Sequence, residues 1–137
     1  MMRNSLSFQR TRRPTLFDVQ AILGSQDVGQ TVVVEGRAVL AVEAIEGTDE
    51  AIRRGVGLGR GGACVVKVAK PQQDPRFDVP VVGVETVRAL AAGCGALLAV
   101  EAGRTLLLER EALLREADAA GIAVIGVDGR RLPGGGA

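Results

Sequence analysis

Lys70, Asp74, Arg76 and Asp78 fall within nine positions of the stretch AKPQQDPRFDVPVVG, residues 69–83. A carboxylate can orient or deprotonate water, and a cation can absorb the charge that develops on phosphoryl oxygens. Pro71, Pro75 and Pro80 punctuate the stretch. Each fixes φ, withholds an amide and pushes the residue before it toward an extended backbone. The stretch therefore reads as a stiff, extended, charged loop rather than a helix or a central strand. Such a loop loses little further freedom when a charged ligand arrives.

Other acids lie at the predicted ends of strands. Glu43, Glu46 and Asp49 cluster after one strand, and Glu101 ends a later one. Ligands of open α/β sheets collect outside the carboxyl ends of strands, so these acids could share a crevice with the loop. A hard divalent cation needs only such oxygen ligands. The residues alone leave open whether they do this or are solvated turn residues. The chain has no His, which excludes a Ser-His-Asp triad and a His-based zinc site. Cys64 and Cys94, each set among small or apolar residues, are expected as buried free thiols; two cysteines make no disulfide framework.

The elements that must hold these groups follow from composition and punctuation. At 137 residues the chain is read as a single domain, and with 47% hydrophobic residues but only three Phe its core must be built from small aliphatics. Lys and Arg number 17 against 16 acids, for a net charge of +1, with no basic face interleaved with aromatics, which argues against a nucleic-acid partner. No apolar run approaches the roughly 18 residues of a transmembrane helix. Residues 1–26, rich in Arg at the start, read as a flexible lead-in and linker without a signal-peptide core, and 129–137 as a flexible Gly-rich tail.

Between these ends, strands are expected at about 31–34 and 38–44 around a tight turn at Gly36. A short helix should run from an N-cap at Thr48 through Arg54. The following RGVGLGRGGACVVKVA resembles a phosphate loop in its glycines alone: no Lys-Ser or Lys-Thr follows, and it enters a strand at 63–68. It reads as a flexible connection. VETVRALAAG is a helix stopped by Gly93, ALLAVEAGRTLLLE a second hairpin-like pair, EREALLREADAAG a helix ended by Gly121, and IAVIGV a buried closing strand. AVEA occurs at 41–44 and again at 99–102, each time beside a hairpin-like pair and ahead of an acid-started helix, which raises an internal duplication. The order predicts an α/β fold: a mixed β-sheet with helices packed on its faces.

LAVEAIEGTDEAI, VKVAKPQQDPRFDVPVVG and AVEAGRTLLLEREALLREADAAGIAVIGV, taken together, resemble the carboxy-terminal domain of the LpxI-type UDP-2,3-diacylglucosamine pyrophosphatases of lipid A biosynthesis. The resemblance covers residues 27–128, which it makes the catalytic domain. Two details depart from the family pattern: Val81 stands where many relatives have Thr, and Pro75 interrupts the usual Gln-Asp-Leu-Arg.

The resemblance implies metal-dependent hydrolysis of the pyrophosphate of UDP-2,3-diacylglucosamine, giving UMP and 2,3-diacylglucosamine 1-phosphate, with Mg²⁺ or Mn²⁺ as the cation. It places the essential aspartate at Asp74, with Asp78 as second choice. Glu46, Asp49 and Glu101 become candidate metal ligands; Lys67, Lys70 and Arg76 become phosphate contacts; Gln73 and Thr48 become substrate-positioning groups. Partners implied are the UDP-linked diacylated lipid and, if the chain is a split-gene product rather than a fragment or a stand-alone relative, a separate chain carrying the family's amino-terminal domain. The location implied is cytoplasmic, with peripheral contact at the inner membrane. Because the family is much longer, the chain by itself is expected to be an incomplete enzyme. The alternative is a non-catalytic ligand-binding or assembly module that keeps the fold.

Overall fold

Among residues 30–68 and 79–127, which the computed structural model of the chain describes, β-branched runs form strands and acid-started runs form helices. Strands β1 (Thr31–Glu35) and β2 (Ala38–Val42) pair antiparallel across a tight turn, where Gly36 has φ of 60° as the sequence required. Strand β3 (Cys64–Lys67) pairs antiparallel with β1 and parallel with β5 (Leu97–Glu101), and β5 pairs parallel with β7 (Ala123–Val127). The result is a mixed five-stranded sheet in the order β2-β1-β3-β5-β7.

Three helices accompany it: α1 (Thr48–Leu58), α2 (Val84–Ala92) and α3 (Arg110–Ala120). Their apolar stripes, including Ile52, Val56, Val87, Leu90, Leu113 and Ala117, join Val33, Val65, Leu98 and Val100 in one core. A second cluster on strands β1, β3 and β5, with Val32, Val34, Cys64, Val66, Leu97 and Ala99, takes no residue from any of the three. The expected α/β fold, a mixed sheet with helices packed against it, is what forms, and among the described residues the three helices share the face of the first cluster.

Three local expectations change. Thr48 is not the N-cap of α1; Gly47 is, and its φ of 93° is open to glycine without strain. Helix α1 also runs to Leu58, absorbing two glycines of the supposed flexible connection. Gly55 is there for space, because a Cβ at that position would lie 2.6 Å from Val33 Cβ in the core. The second hairpin does not exist: β6 (Leu106–Leu107) leaves β5 and pairs parallel with β4 (Val81–Val82) in a separate two-stranded sheet. The two AVEA segments therefore end strands of different kinds, one in an antiparallel pair and one between parallel neighbours.

Of the cysteines, Cys64 is buried as expected, but Cys94 is exposed and holds φ of 58° between Gly93 and Gly95. No described helix is long and apolar enough to cross a membrane.

Gly55 supplies a test in which two effects have opposite signs. Helix propensity alone would favour Gly55→Ala by about 0.8–1 kcal/mol. Overpacking against Val33, which is fully buried on a central strand, costs about 1–3 kcal/mol. Urea unfolding should find the variant less stable than wild type.

Candidate functional site

A cleft of about 1010 Å³ opens where the carboxyl end of β3 meets the amino ends of α1 and α2. Lys67, the last residue of β3, lies at its base and is only 6% exposed. Its Nζ donates to Thr48 Oγ1 at 2.8 Å and to the Val81 carbonyl at 2.7 Å. An ammonium has three N–H donors, so one remains without a partner among the described residues. Burial pushes the Lys67 pKa below its ordinary 10.5, and the negative charges of Glu43 and Asp49 partly oppose that fall.

Thr48 is the pivot of this arrangement. Its hydroxyl accepts from Lys67 and from Thr31 Oγ1 (3.4 Å), and donates to Glu43 Oε1 at 3.3 Å. The same Glu43 oxygen accepts from the Gln30 amide at 3.2 Å. Asp49 is held separately: its Oδ1 accepts from Thr86 Oγ1 at 3.0 Å, which ties the first turn of α1 to the first turn of α2. Thr86 is 4% exposed.

Both helix starts lack a side-chain cap, at Gly47 for α1 and Gly83 for α2, and both glycines line the cleft. Amides at an uncapped helix start, with the positive end of the helix dipole, favour an anion. Around the rim the charges are mostly spent on each other. Arg53 pairs with Glu50, and Arg88 bridges Glu85 at 2.7 Å and Glu116 at 3.0 Å. Those two carboxylates hold the Arg88 pKa above its ordinary value.

Thr48, Asp49, Glu46 and Lys67, named from the sequence, all line this one cleft. Their states differ. Glu46 accepts from the Ala44 amide at 2.7 Å and from Arg54 at 2.9 Å; the amide chiefly, and Arg54 after it, hold its pKa below the usual range. Glu101 ends β5, is 4% exposed, lies 3.6 Å from Arg104, and is not among the lining residues. Asp74, Asp78, Lys70, Gln73 and Arg76 lie outside the described residues.

The implied divalent cation finds no sufficient ligand set among the described residues: nowhere do three of His, Cys, Asp or Glu come together. Glu46 is already engaged by an amide and a guanidinium, and the centre of the network is an ammonium. These residues fit an anionic ligand and do not by themselves fit a metal.

Thr86, Arg88 and Arg115 have no place in the reading from sequence. A Thr set next to Val87 in the apolar stripe of a helix is a signal of sorts, since a buried hydroxyl needs a partner. Arg88 and Arg115 carry no such signal.

Lys67 also makes a pH prediction. Its folded pKa lies below its unfolded value, so between the two the unfolded chain binds more protons and stability rises with pH. Below the folded value both states are charged and this group adds no slope. The stability difference between wild type and Lys67→Met, from urea unfolding, should shift in favour of wild type as pH climbs toward 10.5.

A buried ammonium at the carboxyl end of β3, between two uncapped helix starts, gives this α/β domain a cleft whose chemistry suits an anion. The sequence places it further: residues 13–125 match the LpxI C-terminal domain, and the chain belongs to that family. It is 43% identical over 125 residues to the UDP-2,3-diacylglucosamine pyrophosphatase LpxI of Caulobacter vibrioides, an alignment covering 85% of this chain and 44% of that relative. The chain thus spans under half the length of the curated relative it matches.

Proposed function

We propose that the chain acts as the carboxy-terminal part of a UDP-2,3-diacylglucosamine pyrophosphatase of lipid A biosynthesis, hydrolysing its substrate to UMP and 2,3-diacylglucosamine 1-phosphate. The observation that carries this reading is the Lys67 ammonium, buried at the base of the cleft with two of its three donors engaged among the described residues. A desolvated cation held in place by Thr48 and the Val81 carbonyl attracts a phosphoryl oxygen more strongly than it would in water, and needs no rearrangement as charge develops there. The uncapped amides at Gly47 and Gly83 add to the same field.

Water attack on the lipid-side phosphorus needs a base or an orienting group. Asp74 holds that role in this proposal, with Asp78, Lys70, Gln73 and Arg76 as its neighbours in sequence, on the segment between β3 and β4. Lys67 precedes the segment and the Val81 carbonyl that it grips follows it, so the hydrogen bond between them clamps the two ends. The Mg²⁺ or Mn²⁺ of the proposal rests on the family resemblance; no step is assigned to it.

The lipid side of the substrate has a surface to meet. Val79, Val81, Leu106 and Leu108 are exposed on and beside the β4–β6 pair, and Val81 and Leu108 also line the cleft. An apolar strip beside a charged cleft suits a ligand with a charged centre and acyl chains. Replacing Leu108 by Asn should raise KM for the diacylated substrate several-fold while leaving the melting temperature nearly unchanged, since the side chain is already half exposed.

Release of UMP from UDP-2,3-diacylglucosamine tests the function. The chain alone is expected to be slow, because positioning supplies roughly 7–11 kcal/mol of such barriers and the remaining part of the relatives is needed to position the substrate. Addition of the amino-terminal part of the Caulobacter relative should restore turnover. Binding of the substrate without any turnover in that mixture would make the chain a ligand-binding module instead.

A further inference from the structure

We infer that Arg115, on the wall of the cleft formed by α3, is a substrate-positioning residue that takes a second anionic oxygen of a nucleoside diphosphate whose first is met by Lys67. This inference rests on the cleft being the pyrophosphate site.

The reasoning starts from what each cation around the cleft is doing. Arg53 is paired with Glu50, Arg88 with both Glu85 and Glu116, and Lys67 with a hydroxyl and a carbonyl. Arg115 alone among these four cations makes no hydrogen bond or ion pair within the described residues. Partners are not lacking in sequence. Glu111 stands four residues before it on the same helix and Asp118 three after, the spacings at which helical ion pairs form. Neither pairing is made.

The helix face around it leaves the guanidinium room. Helix α3 offers Ala112, Arg115 and Ala119 to the cleft, three and four residues apart, so a long side chain rises between two methyl groups on one wall. Glu116, its acidic neighbour on that wall, is taken by Arg88 at 3.0 Å and does not compete for Arg115. A planar guanidinium with five donors, lining a cleft that also holds a buried ammonium and without a partner among the described residues, can grip an anion through two parallel hydrogen bonds. Lys67 and Arg115 come from different elements and line the same cleft, so a ligand with two phosphoryl groups can offer each cation an anionic oxygen of its own.

The test is an NMR titration of the intact chain with UDP, comparing wild type with Arg115→Gln, Arg115→Lys and Arg110→Gln. Arg110 is exposed at the start of the same helix and is not a lining residue, so it controls for net charge. Arg115→Gln should weaken UDP binding about tenfold, the result expected when one charge-assisted contact is lost. Arg115→Lys should recover part of it, and Arg110→Gln should change it less than twofold. UMP, with one phosphate, should lose far less affinity on Arg115→Gln than UDP does. Equal effects of the Arg115 and Arg110 changes, with wild type binding UDP, would overturn the inference and leave the proposed function standing. If wild type and Lys67→Met show the same absence of UDP binding, the cleft is not a pyrophosphate site and both readings fall.

Discussion

Lys67→Met is expected to lower turnover of UDP-2,3-diacylglucosamine by roughly 10²–10³-fold, the usual cost of removing one preorganised donor to a developing oxyanion. Met keeps an unbranched apolar stem, one atom shorter, while removing the charge and all three donors. The ammonium is the central group of its network: Thr48 faces it directly, Glu43 and Asp49 oppose the fall in its pKa, and Val81 receives one of its protons. The substitution should therefore act on ligand binding and on chemistry together, so that kcat falls and KM rises. Stability moves in two directions. Desolvation of the charge is relieved, while the Thr48 hydroxyl and the Val81 carbonyl lose a donor. A variant that folds with a cooperative transition and yet turns over substrate like wild type would remove Lys67 from the mechanism.

Asp74→Asn should have the largest effect, a loss of roughly 10²–10⁴-fold in kcat if its carboxylate orients or deprotonates the attacking water. Asn preserves size and shape and deletes only the charge, so substrate affinity and melting temperature should change little. Asp78→Asn is expected to cost less turnover and more stability. Asp78 stands two residues before Pro80, which has no amide to give, and so it is a poorer turn former than most aspartates. Both measurements belong in the mixture of this chain with the amino-terminal part of the relative, with turnover and melting temperature read for each variant. The opposite ranking would exchange the roles of the two aspartates.

The strongly patterned parts of the chain were legible before any coordinates. The turn at Gly36, the helices ended by Gly93 and Gly121, and the mixed sheet all follow from β-branched runs and acid-started apolar periodicity. The misreadings have physical causes. Gly55 looked like a break because a glycine lowers helix propensity, yet its lack of a Cβ is what lets α1 sit on Val33. Strands β4 and β6 are two residues each, too short to carry a period, so their pairing was invisible and a hairpin was expected in its place. Thr48 was read as a cap by type; with Gly47 in that position, the hydroxyl is free to receive Lys67 instead.

The candidate site divides in the same way. Glu46 and Asp49 stand out as acids at a strand end, Thr48 and Lys67 through motif resemblance, and the fold brings all four to one cleft because β3 ends where α1 begins its first turn. What the sequence could not convey is how each side chain is employed. The engagement of Glu46 by Arg54 and the Ala44 amide depends on a contact across eight residues and on one local turn, and the tie from Thr86 to Asp49 spans two helices. Pairings of this kind appear only once the elements are placed. The family match runs over residues 13–125, and we propose residues 27–128 as the bounds of the catalytic domain.

The most direct measurement is UMP release from UDP-2,3-diacylglucosamine by this chain mixed with the amino-terminal part of the Caulobacter relative, wild type against Lys67→Met. The account predicts turnover from the wild-type mixture well above that of either part alone, and a loss of at least 10²-fold with the Met variant. A wild-type mixture that releases UMP no faster than its separate parts, or a Lys67→Met mixture that matches it, would contradict the assignment of this cleft to pyrophosphate hydrolysis.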